Sequence, residues 1–192
     1  RCGVPREELF VTTKLWITDT SYEGAKRGFE RSMEHLGLDY LDLYIIHQPY
    51  NDYYGAWRVL EELYAAGMVR AIGVDNFTPD KLADLMFWNK VKPAVNLVEC
   101  NPFFQREEER AYMESRQIQM QAWAPLAAGQ TNLLRNETIC GIAASCQKTP
   151  AQVALRWLTQ RGIVPLVKSA NPQRMKENLN IFDFALTDAQ MD

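Results

Sequence analysis

Near the C-terminal end of the chain stand Lys168-Ser169, Arg174 and Glu177-Asn178. They follow a short apolar stretch, Gly162-Ile163-Val164-Pro165-Leu166-Val167, that reads as a buried strand, and they run into a helix predicted from Gln173 to Leu179. Two cations at a strand end and a first helical turn, with free helix N–H groups between them, make a phosphate site. A carboxylate and an amide one turn further on can hold an adenine edge. Together these groups point to an adenine nucleotide with an extra phosphate, which is NADPH.

A second set of chemically capable residues lies upstream, at the ends of apolar, strand-like runs. Lys14 closes one such run, and a lysine there is either paired with a carboxylate or has a depressed pKa. The position also suits a salt bridge that does nothing but hold a rim together. His47 follows Leu43-Tyr44-Ile45-Ile46 and precedes Gln48-Pro49. It can donate to a substrate carbonyl, or it can be a satisfied core histidine. His35, two residues before Gly37, reads as a helix-end cation suited to the dipole.

The elements that must position these residues alternate regularly. Apolar runs of strand length occur at Leu9–Thr13, Leu41–Ile46, Val69–Val74, Ala94–Val98, Ile118–Ala122 and Ile163–Val167. Helical patterns fall between them. Tyr22–Leu36 ends at Gly37, Ala56–Ala66 ends at Gly67, and Gln105–Ser115 is charged and amphipathic. Thr78-Pro79 and Thr149-Pro150 each place a capping hydroxyl before a proline at the first helical position. An extra loop is expected from Ala127 to Asn136. Repeated strand–helix units mean a parallel sheet with helices outside it, an α/β class.

Such a sheet can be open and doubly wound, or closed as a (β/α)8 TIM barrel. An open nucleotide-binding sheet carries a glycine-rich turn after its first strand, and none is present here. Polar residues stand instead at the ends of many strands: Lys14, His47, Asp75-Asn76, Glu99, Trp123 and Lys168. Barrel enzymes keep their chemistry there. The barrel is therefore the expectation, as one domain over 1–192 with about six of its eight βα units present.

Composition sets the outer limits. The chain has 192 residues, 47% apolar and 23% charged, with a net charge of −3. With basic residues scattered, nothing points to a nucleic-acid surface, and no apolar run approaches the ~20 residues that span a bilayer. Four cysteines without a Cys-x-x-Cys pair, and only two histidines, argue against a metal site and for reduced thiols in the cytoplasm.

The motifs, taken together, resemble the aldo-keto reductases, a family of NADPH-dependent (β/α)8 barrels. The resemblance runs through Pro5-Arg6-Glu7-Glu8-Leu9-Phe10-Val11-Thr12-Thr13-Lys14-Leu15-Trp16 and Leu41-Asp42-Leu43-Tyr44-Ile45-Ile46-His47-Gln48-Pro49. It continues in Gly67-Met68-Val69-Arg70-Ala71-Ile72-Gly73-Val74-Asp75-Asn76-Phe77, in Pro93-Ala94-Val95-Asn96, and in Val167-Lys168-Ser169 followed by Arg174, Glu177 and Asn178. The stretch His47-Gln48-Pro49-Tyr50 and Trp123 are similar to the short-loop bacterial branch.

The resemblance implies reduction of aldehydes or ketones to alcohols, with hydride from NADPH and a proton from a tyrosine. Lys14 matches the lysine that lowers that tyrosine's pKa, and His47 matches the histidine that orients the carbonyl. For the cofactor, Asn76 matches the amide that holds the nicotinamide carboxamide. Asp75 stands where many members have Ser, and it can still accept from the carboxamide NH2. Leu97 stands where Gln is usual. Trp123 matches the aromatic stacked on the nicotinamide ring, while Ala124, Leu126 and Ala128 border the pyrophosphate. Lys168, Ser169 and Arg174 match the residues on the 2′-phosphate, and Glu177 and Asn178 those on the adenine. Trp16, His47, Gln48 and Tyr50 are expected to line a compact, partly aromatic pocket for small aldehydes, glyoxals or keto-sugars. A monomer is the family default.

The family's Asp and Tyr lie upstream of its lysine, and none of the tyrosines here occupies that place; Tyr22 falls on the following helix. The expectation is a chain truncated at its N-terminal side and lacking the family's C-terminal tail, inactive as given although its parent is a reductase. The alternative is a barrel that binds NADPH as a signal without turnover.

Overall fold

The structure, a computed structural model, describes residues 3–129 and 131–192. Its backbone forms two compact units, one running to Asn96 and including Ser115–Ile118, the other comprising Leu97–Glu114 and Gln119–Asp192. The six strands belong to one sheet in the order β1-β2-β3-β4-β5-β6, so each strand lies beside its successor in sequence. That order, with a helix between strands, is the winding of a (β/α) barrel.

In the first unit β1 (Thr12–Leu15) is followed by α1 (Tyr22–Leu36), β2 (Leu43–Ile46), α2 (Tyr53–Ala65), β3 (Ile72–Asp75) and α3 (Pro79–Trp88). β1 and β2 run parallel with Lys14 opposite Ile45, and β2 and β3 with Ile46 opposite Val74. The residues of β2 and β3 are buried throughout, as expected of parallel strands covered on both faces. α1 has the predicted boundaries. Ser21 caps it by accepting from Gly24 N, and Gly37 ends it in the left-handed region at φ 62°. Its glycines allow close approach to the sheet, since a Cβ at Gly28 would lie 2.6 Å from Leu15 Cδ1. α2 begins three residues earlier than its apolar pattern, because the Asp52 carboxylate caps it through Gly55 N.

The strand starts are tied together by Asp42. This buried carboxylate accepts from Val11 N at 2.9 Å, pairs with Arg6 at 2.8 Å and with Arg70 at 3.0 Å. Both guanidinium groups also lie over the Tyr40 ring, at 3.9 and 4.3 Å from its centroid. The polypeptide just before β1, the start of β2 and the approach to β3 are thereby held in register.

β4 (Val95–Glu99) starts in the first unit and ends in the second. The second unit continues with α4 (Glu107–Ser115), β5 (Gln119–Trp123), α5 (Glu137–Ser145), α6 (Pro150–Gln160), β6 (Val164–Pro165), α7 (Pro172–Leu179) and α8 (Asp188–Met191). β5 and β6 are parallel, with Ala122 opposite Pro165. β6 is shorter than the apolar run predicts because Pro165 has no N–H for the ladder. Pairing nevertheless reaches Leu166, whose N–H donates to Ala122 O at 2.8 Å. α5 is absent from the sequence reading. Gly141 interrupts its apolar pattern, and its buried face amounts to Ile139 and Ala143. Thr149 and Gln152 form a full capping box on α6. Among the described residues, no helix is long and apolar enough to cross a membrane.

Candidate active site

At the ends of three consecutive parallel strands of the first unit stand Lys14, the penultimate residue of β1, His47, which directly follows β2, and Asp75, the last residue of β3. The register explains why they meet. His47 N donates to Leu15 O at 3.0 Å, which sets the end of β2 beside the end of β1, and β3 follows in step. Lys14 Nζ lies 2.5 Å from Asp75 Oδ2, and His47 Nε2 lies 3.8 Å from the same oxygen. The Asp75 side chain is 1% exposed, whereas those of Lys14 and His47 are 27% and 33% exposed. A buried carboxylate thus sits beneath a cation and an imidazole that reach toward solvent.

The charges follow from this placement. Burial pushes the Asp75 carboxyl above its ordinary range, although Lys14 and His47 pull the other way. Burial lowers the His47 pKa, the Lys14 ammonium lowers it further, and Asp75 opposes them. The lowered pKa favours the neutral imidazole, which donates through its one N–H and accepts at its other nitrogen. Asp75 Oδ1 is buried and has no hydrogen-bond partner. An orphaned acceptor of this kind fits an incoming N–H donor such as a carboxamide.

The residues expected around a substrate flank this cluster. The Trp16 ring meets His47 edge-on at a centroid distance of 4.8 Å. Trp16 and Tyr50 are both exposed, and Gln48 is half-buried. Asn51 Nδ2 donates to Ile17 O at 2.9 Å and ties the loop after β2 to the loop after β1. Asn76 takes a left-handed φ of 60° directly after β3. Its neighbour Phe77 is held by Asn96, whose amide donates to Phe77 O at 2.8 Å and accepts from Phe77 N at 3.4 Å. The sequence reading assigned Asn96 no role. An amide within the apolar run Ala94–Val98 was the available signal, because a buried amide must find partners.

The second unit holds the other predicted group. Leu126, Lys168, Ser169, Arg174, Glu177 and Asn178 all line one cavity of about 320 Å3, whose wall also includes Leu134, Thr149 and Ala151. The sequence reading gave Thr149 only a capping role and Leu134 and Ala151 none, because nothing in their types marks a ligand. Neither Lys168 nor Arg174 forms an ion pair among the described residues. Two uncommitted cations at a cavity wall fit a phosphate. The helix terminus contributes less than the motif implied. Pro172 has no N–H, and that of Arg174 is taken by Asn171 Oδ1 at 3.1 Å. Phosphate recognition therefore falls mainly to the side chains. α7 is itself held by Gln152, whose amide donates to Glu177 O and Asn180 O at 3.2 and 2.9 Å.

Trp123 ends β5, and Ala124 and Ala128 follow it with positive φ of 47° and 49°; Ala127 between them has 54°. Three alanines in the left-handed region within five residues are costly, at about 1 kcal/mol or more each. Strained backbone of this kind gathers where a ligand is gripped. Leu97, at the expected Gln position, is fully buried and offers no hydrogen bond. Among the described residues, no group of three or more His, Cys, Asp or Glu is placed to hold a metal ion.

Comparison with known proteins gives these clusters a context. The model of the Aldo/keto reductase family matches residues 2–192. The glyoxal reductase of Bacillus subtilis (strain 168) is 48% identical over 191 residues, covering 99% of this chain and 68% of the relative. Among solved structures, MGS-M4, an aldo-keto reductase from a Medee basin deep-sea metagenome library, superposes with a TM-score of 0.96 at 44% identity, covering 98% of this chain and 71% of that one. An aldo-keto reductase of Bombyx mori, solved in complex with NADP, gives a TM-score of 0.92 at 34% identity, covering 98% and 67%.

Proposed function

The chain belongs to the aldo/keto reductase family, and from that premise we propose that it serves the NADPH-dependent reduction of small aldehydes and ketones to alcohols. The observation that carries this reading is the strand-end cluster of Lys14, Asp75 and His47. A neutral imidazole beside a fixed cation orients a carbonyl oxygen and favours negative charge developing on it. NADPH, when bound, supplies the hydride. Lys168, Ser169 and Arg174 would hold its 2′-phosphate, Glu177 and Asn178 its adenine, and Leu126 with Ala124 and Ala128 its pyrophosphate. Trp123 would face the nicotinamide ring. Asn76 and the unpartnered oxygen of Asp75 would take the carboxamide.

Trp16, Gln48 and Tyr50 define a substrate side that is open and partly aromatic, suited to compact carbonyl compounds. The similarity to a glyoxal reductase supports dicarbonyls as the first class to try. Tyr22 does not serve as the proton donor: it lies on α1 with its hydroxyl on Glu62 at 2.9 Å. We therefore expect these 192 residues to bind the cofactor and to turn over slowly by themselves. The test is a fluorescence titration with NADPH and NADH, followed by assay of glyoxal-class aldehydes. Tighter binding of NADPH supports the reading, and equal affinity for the two nucleotides overturns the phosphate assignment.

A further inference from the structure

The cofactor reading gives Asp75 one task, through its unpartnered oxygen. Its other oxygen points to a second. We propose, resting on that reading, that Asp75 is a positioning residue for the carbonyl chemistry: Oδ2 anchors the Lys14 ammonium at 2.5 Å and faces His47 Nε2 at 3.8 Å, so that one buried carboxylate sets both the place of the cation and the charge of the imidazole.

Three observations carry this. First, the geometry leaves Lys14 little choice. Asp75 is its hydrogen-bond partner, and the register of β1, β2 and β3 fixes all three backbones. Second, among the described residues the charged groups facing His47 are two, Lys14 from the end of β1 and Asp75 from the end of β3, while Trp16 covers its edge with an uncharged ring. Lys14 disfavours an imidazolium and Asp75 favours one, so the state of His47 is a balance between two neighbours. Third, the pair is unlike a closed structural salt bridge in its geometry, since one oxygen of the buried carboxylate takes the ammonium and the other has no hydrogen-bond partner. Burial holds the Asp75 carboxyl above its ordinary range even with a cation in contact. The sign follows directly. A folded-state pKa above the unfolded value means that the folded state binds the proton more readily, so the ionised carboxylate subtracts stability once pH rises through that value. A charge retained where it weakens the fold is a mark of a working site.

This differs from a role on the carboxamide alone. A serine at position 75, as the resemblance leads one to expect, could accept from a carboxamide but could neither neutralise Lys14 nor act on His47. Asp75 does both from one side chain, and its Oδ1 remains for the cofactor.

The experiment uses the full chain labelled with 15N. Two histidines are present, so a His35→Gln variant assigns both imidazoles in a two-bond 1H–15N spectrum. The His47 titration is then followed in wild type, Asp75→Asn, Asp75→Ser and Lys14→Met, with a thermal melt of each. Removing Asp75 leaves Lys14 unopposed, and the His47 midpoint falls by several tenths of a pH unit. Removing Lys14 leaves Asp75 unopposed, and the midpoint rises. The melting temperature of Asp75→Asn equals or exceeds that of wild type. A His47 midpoint unmoved or raised in both Asp75 variants overturns the proposal, as does a lowered one in Lys14→Met. If one Asp75 variant does not fold, the other and Lys14→Met decide. An NADPH titration on the same samples separates the two readings. His47 shifting as stated without NADPH binding sustains the Asp75 role and removes the cofactor assignment.

Discussion

Replacing Asp42 tests how the strand starts hold the strand ends in place. Asparagine keeps an acceptor for Val11 N but removes the charge opposite two arginines. The Arg70 side chain is 56% exposed, so its pair is screened and contributes about 0.2–1 kcal/mol. Arg6 is 22% exposed and makes a charge-assisted bond, at the lower end of about 1.5–3 kcal/mol after allowance for solvent. Asp42→Asn should therefore cost about 2 kcal/mol. Asp42→Ala also strands the Val11 N–H, and the total rises to about 3–5 kcal/mol. The pH dependence is a separate check. Burial pushes the Asp42 carboxyl up, but the Val11 N–H, Arg6 and Arg70 outweigh it and hold the pKa below its ordinary 3.8. A depressed folded-state pKa gives stability that is complete above the unfolded value and disappears as pH falls through the folded one. Urea unfolding followed by tryptophan fluorescence at pH 7 and near pH 3 measures both effects. The gap between wild type and Asp42→Asn should narrow in acid. An equal gap at both pH values would refute the electrostatic account and leave a shape effect.

Other expectations concern the rest of the molecule. Lys168→Met and Arg174→Leu should each lower the preference for NADPH over NADH by about tenfold and flatten the salt dependence of NADPH binding, leaving NADH affinity unchanged; fluorescence titration at two ionic strengths reads both. A Cβ at Gly73 would collide with the Val95 side chain and approach the Val95 carbonyl at 3.0 Å, so Gly73→Ala should lose about 1–3 kcal/mol in urea unfolding, and no loss would mean that β3 and its neighbour can part freely. Burial pushes the Cys100 thiol up to about 11, whereas Cys140 and Cys146 are half-exposed. Alkylation followed by mass spectrometry should therefore label Cys140 and Cys146 in the native protein and Cys100 only on unfolding.

Much of this was legible in the sequence because the local signals are strong. The apolar runs located all six strands to within a few residues, and Gly37 and Thr149-Pro150 mark helix ends through chemistry that needs no tertiary contact. The strand ends carry Lys14, His47 and Asp75 in the chain itself, so a parallel winding was enough to bring them together. What stayed hidden depends on partners distant in sequence. The pairing of Asp75 with Lys14 bridges 61 residues, and nothing in Val-Asp-Asn distinguishes an aspartate that meets a lysine from one that meets solvent. Asp42 and Asn96 are similar cases: a polar residue in an apolar run announces that a partner exists without saying which. α5 was missed for the opposite reason, since its pattern is weak and its capping Asn136 reads equally well as the end of a loop.

Asp42, just before β2, and Asp75, at the end of β3, stand at opposite ends of the parallel strands, each buried and each bound to a cation, yet their carboxyl pKa values move in opposite directions. Asp42 receives a backbone N–H and two guanidinium groups, enough donors to outweigh its desolvation. Asp75 receives one ammonium and keeps an oxygen without a partner, and desolvation wins. The balance between desolvation and the donors around each carboxylate decides the direction in which its pKa moves. The two asparagine variants should consequently divide cleanly. Asp42→Asn loses stability at pH 7 and leaves the His47 titration in place. Asp75→Asn keeps or gains stability and moves that titration. Parallel losses of stability in both variants, with His47 unmoved, would mean that the strand ends are held together for packing alone.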